Sequence, residues 1–163
     1  MDMLVPLMPL EYVPDRKLQA AGFVVRRAHI TDKTQILEFV RKQFPTSHPA
    51  WSSECEFALM QSPPTCFIAS KDNQIVGFAC YNATGKGFFG PLGVESEYRG
   101  RHLGRELLLI GLDGLKHDGY AYGIIGWVSS ADFYEQHVSA LPIPNSEPHN
   151  SIYHNALAGR IEL

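Results

Sequence analysis

Seven consecutive residues, Arg99-Gly100-Arg101-His102-Leu103-Gly104-Arg105, gather three arginines and two glycines in a 163-residue chain of formal net charge −3. An apolar, strand-like run, Phe88-Phe89-Gly90-Pro91-Leu92-Gly93-Val94, comes shortly before them. Leu103, Leu107, Leu108, Gly111, Leu112 and Leu115 follow at helical spacing and predict a helix over 103–116. A helix start leaves backbone N–H groups without partners and carries partial positive charge, so it suits a phosphate. Glycine lets the backbone approach that phosphate closely, and arginine adds planar, charged donors. The loop therefore reads as a site for the diphosphate of a nucleotide-like molecule. A local basic cluster on a mildly acidic protein favours a small anionic ligand over nucleic acid or an anionic membrane.

Other chemistry is weaker. Gly85-Lys86-Gly87-Phe88-Phe89-Gly90 satisfies GxGxxG, but that fingerprint needs a strand turning directly into a helix. Pro91 and Gly93 continue a strand-like run, so the glycines are read as a hairpin turn. No GK[ST] and no GxSxG occurs. Cys55, Cys66 and Cys80 lack CxxC spacing and read as buried small hydrophobes in a reducing compartment. His117, His137, His149 and His154 lack ligand spacing, so no metal is expected. Glu54, Glu56, Glu95 and Asp132 are candidates for accepting a proton, with none preferred. No apolar run is long enough to span a membrane. Residues 1–10 are interrupted by Asp2, Pro6 and Pro9 and lack a basic lead, so a cytoplasmic protein is expected.

The elements that must position the loop follow from pattern. Residues 1–22 read as an extension packing on a single domain over 23–163. A first strand begins at Phe23-Val24-Val25, and Thr31 or Asp32 caps a helix bearing Ile36, Leu37, Phe39 and Val40, ended by Pro45 and Pro49. A second helix is predicted over 51–61, with Ser52 or Ser53 as its cap, stopped by Pro63-Pro64. Strands at 66–70 and 75–82 flank the turn Lys71-Asp72-Asn73-Gln74. A strand over 122–128 after the 103–116 helix implies a parallel pair with a right-handed crossover. A short helix at 131–138, a proline-rich stretch at 141–149 and a strand-like segment at 152–163 complete the chain. Arg105, Glu106, Asp113 and Lys116 form the polar side of the 103–116 helix. Leu109 falls among them, either as an isolated exposed residue or as part of a homodimer contact.

The run from Val94 to Leu108 resembles the acyl-CoA-binding segment of the GNAT N-acetyltransferase superfamily, written Q/R-x-x-G-x-G/A after a strand. Arg99, Leu103 and Gly104 fit its frame, while His102 stands where the middle glycine belongs. Ala131-Asp132-Phe133-Tyr134-Glu135-Gln136 is similar to the superfamily's second signature, A-x-x-F-Y-E-K. Together the two cover roughly residues 23–141.

The resemblance implies an α+β fold: a mixed, mainly antiparallel sheet with a central splayed parallel pair, flanked by helices. It implies acetyl-CoA as acyl donor and direct transfer to a primary amine, either a small molecule or a peptide N-terminus. The cofactor-binding residues it implies are Leu92, Gly93 and Val94 along the pantetheine arm, with Arg99, Gly100, Arg101, His102, Leu103, Gly104 and Arg105 around the diphosphate. Tyr134 would protonate the departing thiolate. Trp51, Phe44 and Phe57 are candidates for the floor of an acceptor pocket. His102 and the lack of a carboxylate on the 88–94 strand motivate the alternative of a non-catalytic acyl-CoA sensor with the same fold.

Overall fold

The computed structural model describes residues 1–154. In chain order its elements are β1 (Met3–Pro6), α1 (Arg16–Ala20), β2 (Phe23–Arg27), α2 (Lys33–Gln43), α3 (His48–Leu59), β3 (Cys66–Lys71), β4 (Gln74–Tyr81), β5 (Phe88–Val94), α4 (Leu103–His117), β6 (Tyr122–Ile125), α5 (Ala131–Val138) and β7 (Leu141–Pro142). The strands form one sheet in the order β2-β3-β4-β5-β6-β1-β7. The pairs are antiparallel except β5 with β6, which is parallel, so the mixed α+β sheet with one central parallel pair is as expected.

Local chemistry explains the hairpins. Asp72 and Asn73 take φ of 49° and 61°, the left-handed pair that a two-residue turn demands and that Asn and Asp tolerate. Gly85-Lys86-Gly87 leads into strand rather than helix, as the rejection of the dinucleotide fingerprint required. Side chains along β4 alternate between two cores: Ala79 and Tyr81 face α4, while Phe78 and Cys80 face α2 and α3.

Helix α4 lies against the sheet closely enough to need its glycines. A Cβ on Gly111 would sit 2.5 Å from the Phe89 ring, and one on Gly114 would sit 2.7 Å from that of Tyr81. This offsets the roughly 1 kcal/mol that each glycine costs a helix. Gly111→Ala should therefore lower the urea midpoint by the equivalent of about 1–3 kcal/mol, despite alanine's better propensity. A raised midpoint would show that Phe89 moves aside freely.

Several expectations are corrected. The second helix begins at His48 rather than 51, because Pro49 sits in its first turn, where its missing N–H costs nothing. Asp32 occupies the cap position of α2 without capping it, since its carboxylate is held by Arg26 at 2.8 and 3.1 Å and by the His29 N–H. Strand β6 stops at Ile125, before Trp127 turns to φ 51°. Of the predicted strand-like segment at 152–163, residues 152–154 form a turn and the remainder lies outside the described residues.

The polar side of α4 is also not a solvent face. Glu106 is 4% exposed and Leu109 8%. The Glu106 carboxylate accepts from the Tyr12 hydroxyl at 2.7 Å and from the Asp15 N–H at 3.3 Å. Lys116 Nζ donates to the carbonyls of Met8 and Leu10. Residues 106, 109, 113 and 116 share one helical stripe, so the segment that grips Glu106 and Lys116 covers Leu109 between them. Leu109 is therefore not an isolated exposed residue. Residues 1–22 do more than pack against the sheet, because Met3–Pro6 is a strand between β6 and β7.

Candidate functional site

The parallel pair is short. Phe88 faces Ile124 and Phe89 faces Ile125, and there the pairing of β5 with β6 ends. Strand β5 runs on to Val94, paired with β4 alone. The Glu95 N–H donates to the Val76 carbonyl. Hydrogen-bonded positions alternate in an antiparallel ladder, so Gly93 also faces β4, while the backbone groups of Leu92 and Val94 face away from it into the opening. The Val94 carbonyl accepts from Arg99 Nε at 3.1 Å. The remaining groups on that side, the Leu92 N–H and C=O and the Val94 N–H, form an open sheet edge able to take an extended, amide-bearing chain. Gly93 contributes differently from its neighbours: a Cβ there would lie 2.7 Å from Phe44 and 2.8 Å from Phe78. Its role is to let the aromatic cluster of Phe39, Phe44, Trp51 and Phe78 approach β5 from the α3 side.

At the end of the opening stands the start of α4. The first bond within this helix is Glu106 N–H to the His102 carbonyl, and no side chain caps it. The N–H groups of Leu103, Gly104 and Arg105 are thereby left unpartnered by the helix, with the positive end of a 15-residue dipole behind them. Leu103 is 1% exposed and anchors this turn in the core, so it can offer a ligand its backbone alone. Arg99, Gly100, Arg101 and His102 are exposed. The Arg101 guanidinium lies over the Tyr98 ring, 5.5 Å from its centroid. Gly100 has φ 73° and His102 φ 66°. His102 therefore keeps the left-handed backbone that glycine would supply, at a strain of roughly 1 kcal/mol. Its side chain projects to solvent from a loop already in shape. His102→Gly should leave CoA affinity within about two-fold, by calorimetry; a tenfold tightening, ~1.4 kcal/mol, would mean that the imidazole obstructs the loop.

Tyr134 lies one turn into α5, on the α4 side of the sheet, where a Cβ on Gly104 would meet the Phe133 ring at 3.7 Å. Burial pushes its phenol up to about 12, and its hydroxyl has no hydrogen-bond partner among the described residues. His137, a turn further along, has a pKa held down by burial and then by the positive charges of Arg105 and His102. That electrostatic contact joins the second signature to the first. Of the candidate floor residues, Trp51 and Phe44 belong to the aromatic cluster beneath Gly93, their rings 5.0 Å apart, whereas Phe57 is 51% exposed and forms no floor. Cys55, Cys66 and Cys80 are all buried thiols.

The chain matches the acetyltransferase (GNAT) family over residues 33–139, more than half of its length, and it belongs to that family. Solved structures agree on the fold. A GCN5-related N-acetyltransferase from Sphaerobacter thermophilus superposes with TM-score 0.65 at 19% identity, over 86% of this chain and 47% of that one. The glucosamine N-acetyltransferase region of a fungal multi-domain GH3 β-N-acetylglucosaminidase gives 0.66 at 17%, over 84% and 19%. A GNAT family acetyltransferase from Brucella melitensis in complex with acetyl-CoA gives 0.53 at 18%, over 70% and 80%. The chain thus spans about half the length of the Sphaerobacter protein and a fifth of the fungal one. A comparison with curated protein sequences finds no match. Among the described residues, no helix is long and apolar enough to cross a membrane.

Proposed function

We propose that this acetyltransferase-family protein transfers an acetyl group from acetyl-CoA to a primary amine by direct attack. The observation that supports the reading is an unpaired β5 edge beside an uncapped α4 start, with the partly buried Tyr134 packed on the same side of the sheet as α4. Acetyl-CoA supplies an acyl thioester, whose carbonyl carbon takes the amine nitrogen while its C–S bond breaks. Leu92 and Val94 hold the pantetheine arm as a further strand, and Gly93 gives them their setting against the aromatic cluster. The N–H groups of Leu103, Gly104 and Arg105 hold the diphosphate, with Arg99, Arg101 and Arg105 supplying charge. Gly100 and His102 fix the turn that aims those groups.

The Tyr134 phenol is fully protonated at working pH, so it meets the departing sulfur as a donor and passes its proton as the thiolate forms. The proton lost by the amine leaves to solvent or to a carboxylate on the acceptor side.

The test has two parts. Calorimetry with CoA checks the site, and thiol release from acetyl-CoA over a panel of amines checks the reaction. Binding without turnover on any amine would leave the sensor reading in its place. Binding should also shift His137. The diphosphate brings negative charge beside Arg105 and His102, whose positive charges now depress the imidazolium, so its pKa should rise when CoA is added. An NMR pH titration reads this shift, and an unchanged pKa would place the diphosphate elsewhere.

A further inference from the structure

On the face of the sheet covered by α2 and α3, three polar side chains line up without a use in the transfer just described. Glu54 follows Trp51 by one helical turn on α3 and reaches Thr84, in the turn before β5. The Thr84 hydroxyl donates to Glu54 Oε1. The Tyr153 hydroxyl donates to Thr84 Oγ1 at 3.4 Å. The Tyr153 ring covers Gly126, where a Cβ would come within 2.8 Å of it, and Trp127 meets the same ring edge-on at 5.2 Å. Gly126 directly follows Ile125, the last β6 residue paired with β5. The row therefore runs from α3 to the point where the two central strands part, on the face opposite Tyr134.

The charge in this row is one-sided. Glu54 is mostly enclosed, and its partner among the described residues is a neutral hydroxyl. The salt bridges among those residues, Arg26–Asp32, Lys33–Glu56 and His117–Asp113, leave it out. Burial pushes its carboxyl above the ordinary range, as expected for a negative charge removed from water without a counter-ion. One hydroxyl further along the row stands the Tyr153 ring, backed by Trp127, and aromatic faces also attract cations. Among the described residues, the members of this row present a carboxylate, hydroxyls and rings, and none of them carries a positive charge to meet a substrate carboxylate.

We infer that Glu54, held by Thr84 and followed along the row by Tyr153, is the counter-ion for the acceptor, and that the acceptor class is a cationic amine bearing no carboxylate. This rests on the transferase reading for the word acceptor, but the binding site itself can be tested apart from it. Matched pairs differing by one carboxylate serve as probes: phenethylamine with phenylalanine, and 1,4-diaminobutane with ornithine. Titrated calorimetrically into the protein saturated with CoA, where no acyl group is present to react, the carboxylate-free member of at least one pair should bind tenfold or more tightly than its partner. Glu54→Gln keeps the size of the side chain and its bond to Thr84, and should abolish that preference while leaving CoA affinity unchanged. With acetyl-CoA, the same variant should raise KM for the amine at least tenfold and alter kcat less. Thr84→Val, which frees the carboxylate from its holder, should weaken amine binding in the same direction. A preference that survives Glu54→Gln, tighter binding of the amino acids, or no binding of any probe would overturn the inference. Glu54-dependent amine binding with no thiol release would uphold it and sink the transferase reading. Thiol release with a KM indifferent to Glu54 would do the reverse.

Discussion

Tyr134→Phe should slow thiol release from acetyl-CoA by about 100-fold in kcat, while CoA affinity stays within about two-fold. The loss corresponds to about 2.7 kcal/mol of barrier. Phenylalanine keeps the ring that packs with Phe133 at 5.1 Å and removes nothing but the hydroxyl. That hydroxyl has no partner among the described residues, so its loss leaves no orphaned group in the free protein and stability should hold. The effect would then fall on the step in which sulfur becomes anionic. If Tyr134 merely sealed α5 to the sheet, kcat would be indifferent to the substitution. A parallel loss of kcat and CoA affinity would instead mean that the phenol touches the bound arm rather than the leaving sulfur.

Removal of residues 1–7 should abolish folding. Met3, Val5 and Leu7 are each 0% exposed, and burying such side chains contributes about 1.5–3 kcal/mol apiece. Their sum rivals the roughly 5–15 kcal/mol that holds a typical domain together. Polar ties would also be lost: Asp2 Oδ1 accepts from the Trp127 N–H at 2.9 Å, and the Asp2 N–H donates to Ser146 Oγ at 2.8 Å. Point substitutions make the claim measurable. Met3→Ala and Leu7→Ala should each cost about 2–5 kcal/mol, seen as lower urea midpoints at unchanged m. A soluble, cooperatively unfolding protein without residues 1–7 would show that β6 can be sheltered in another way.

The sequence was most readable where local chemistry and tertiary structure agree. The Asp72-Asn73 turn, the α4 stripe and the loop at 99–105 each announce themselves through residue types that have few other uses. It was least readable where distant residues meet. Met3–Pro6 carries too few residues, with prolines nearby, to signal a strand, and its partner β6 lies more than a hundred residues further along the chain. The burial of Glu106 and Leu109 was hidden for the same reason, because periodicity places residues on a helix face but cannot say what covers it. Pro49 read as a stop because proline ends one helix as readily as it opens the next. The row of Glu54, Thr84 and Tyr153 had no motif to betray it, since three separate segments contribute one residue each.

The position of β1 has a consequence for how the chain reaches this shape. Met3 pairs with Ile125, and the intervening residues include the whole antiparallel run from β2 to β5. During synthesis, residues 3–7 leave the ribosome long before β6 exists to receive them. The β2–β5 meander and α4 can assemble from near neighbours, whereas insertion of β1 must close a loop spanning about three quarters of the chain. Until then Met3, Val5 and Leu7 have no burial site, and β6 would present an open edge. The slowest step of folding should therefore be the docking of β1, and its exposed precursor is the species most prone to aggregate or to recruit a chaperone.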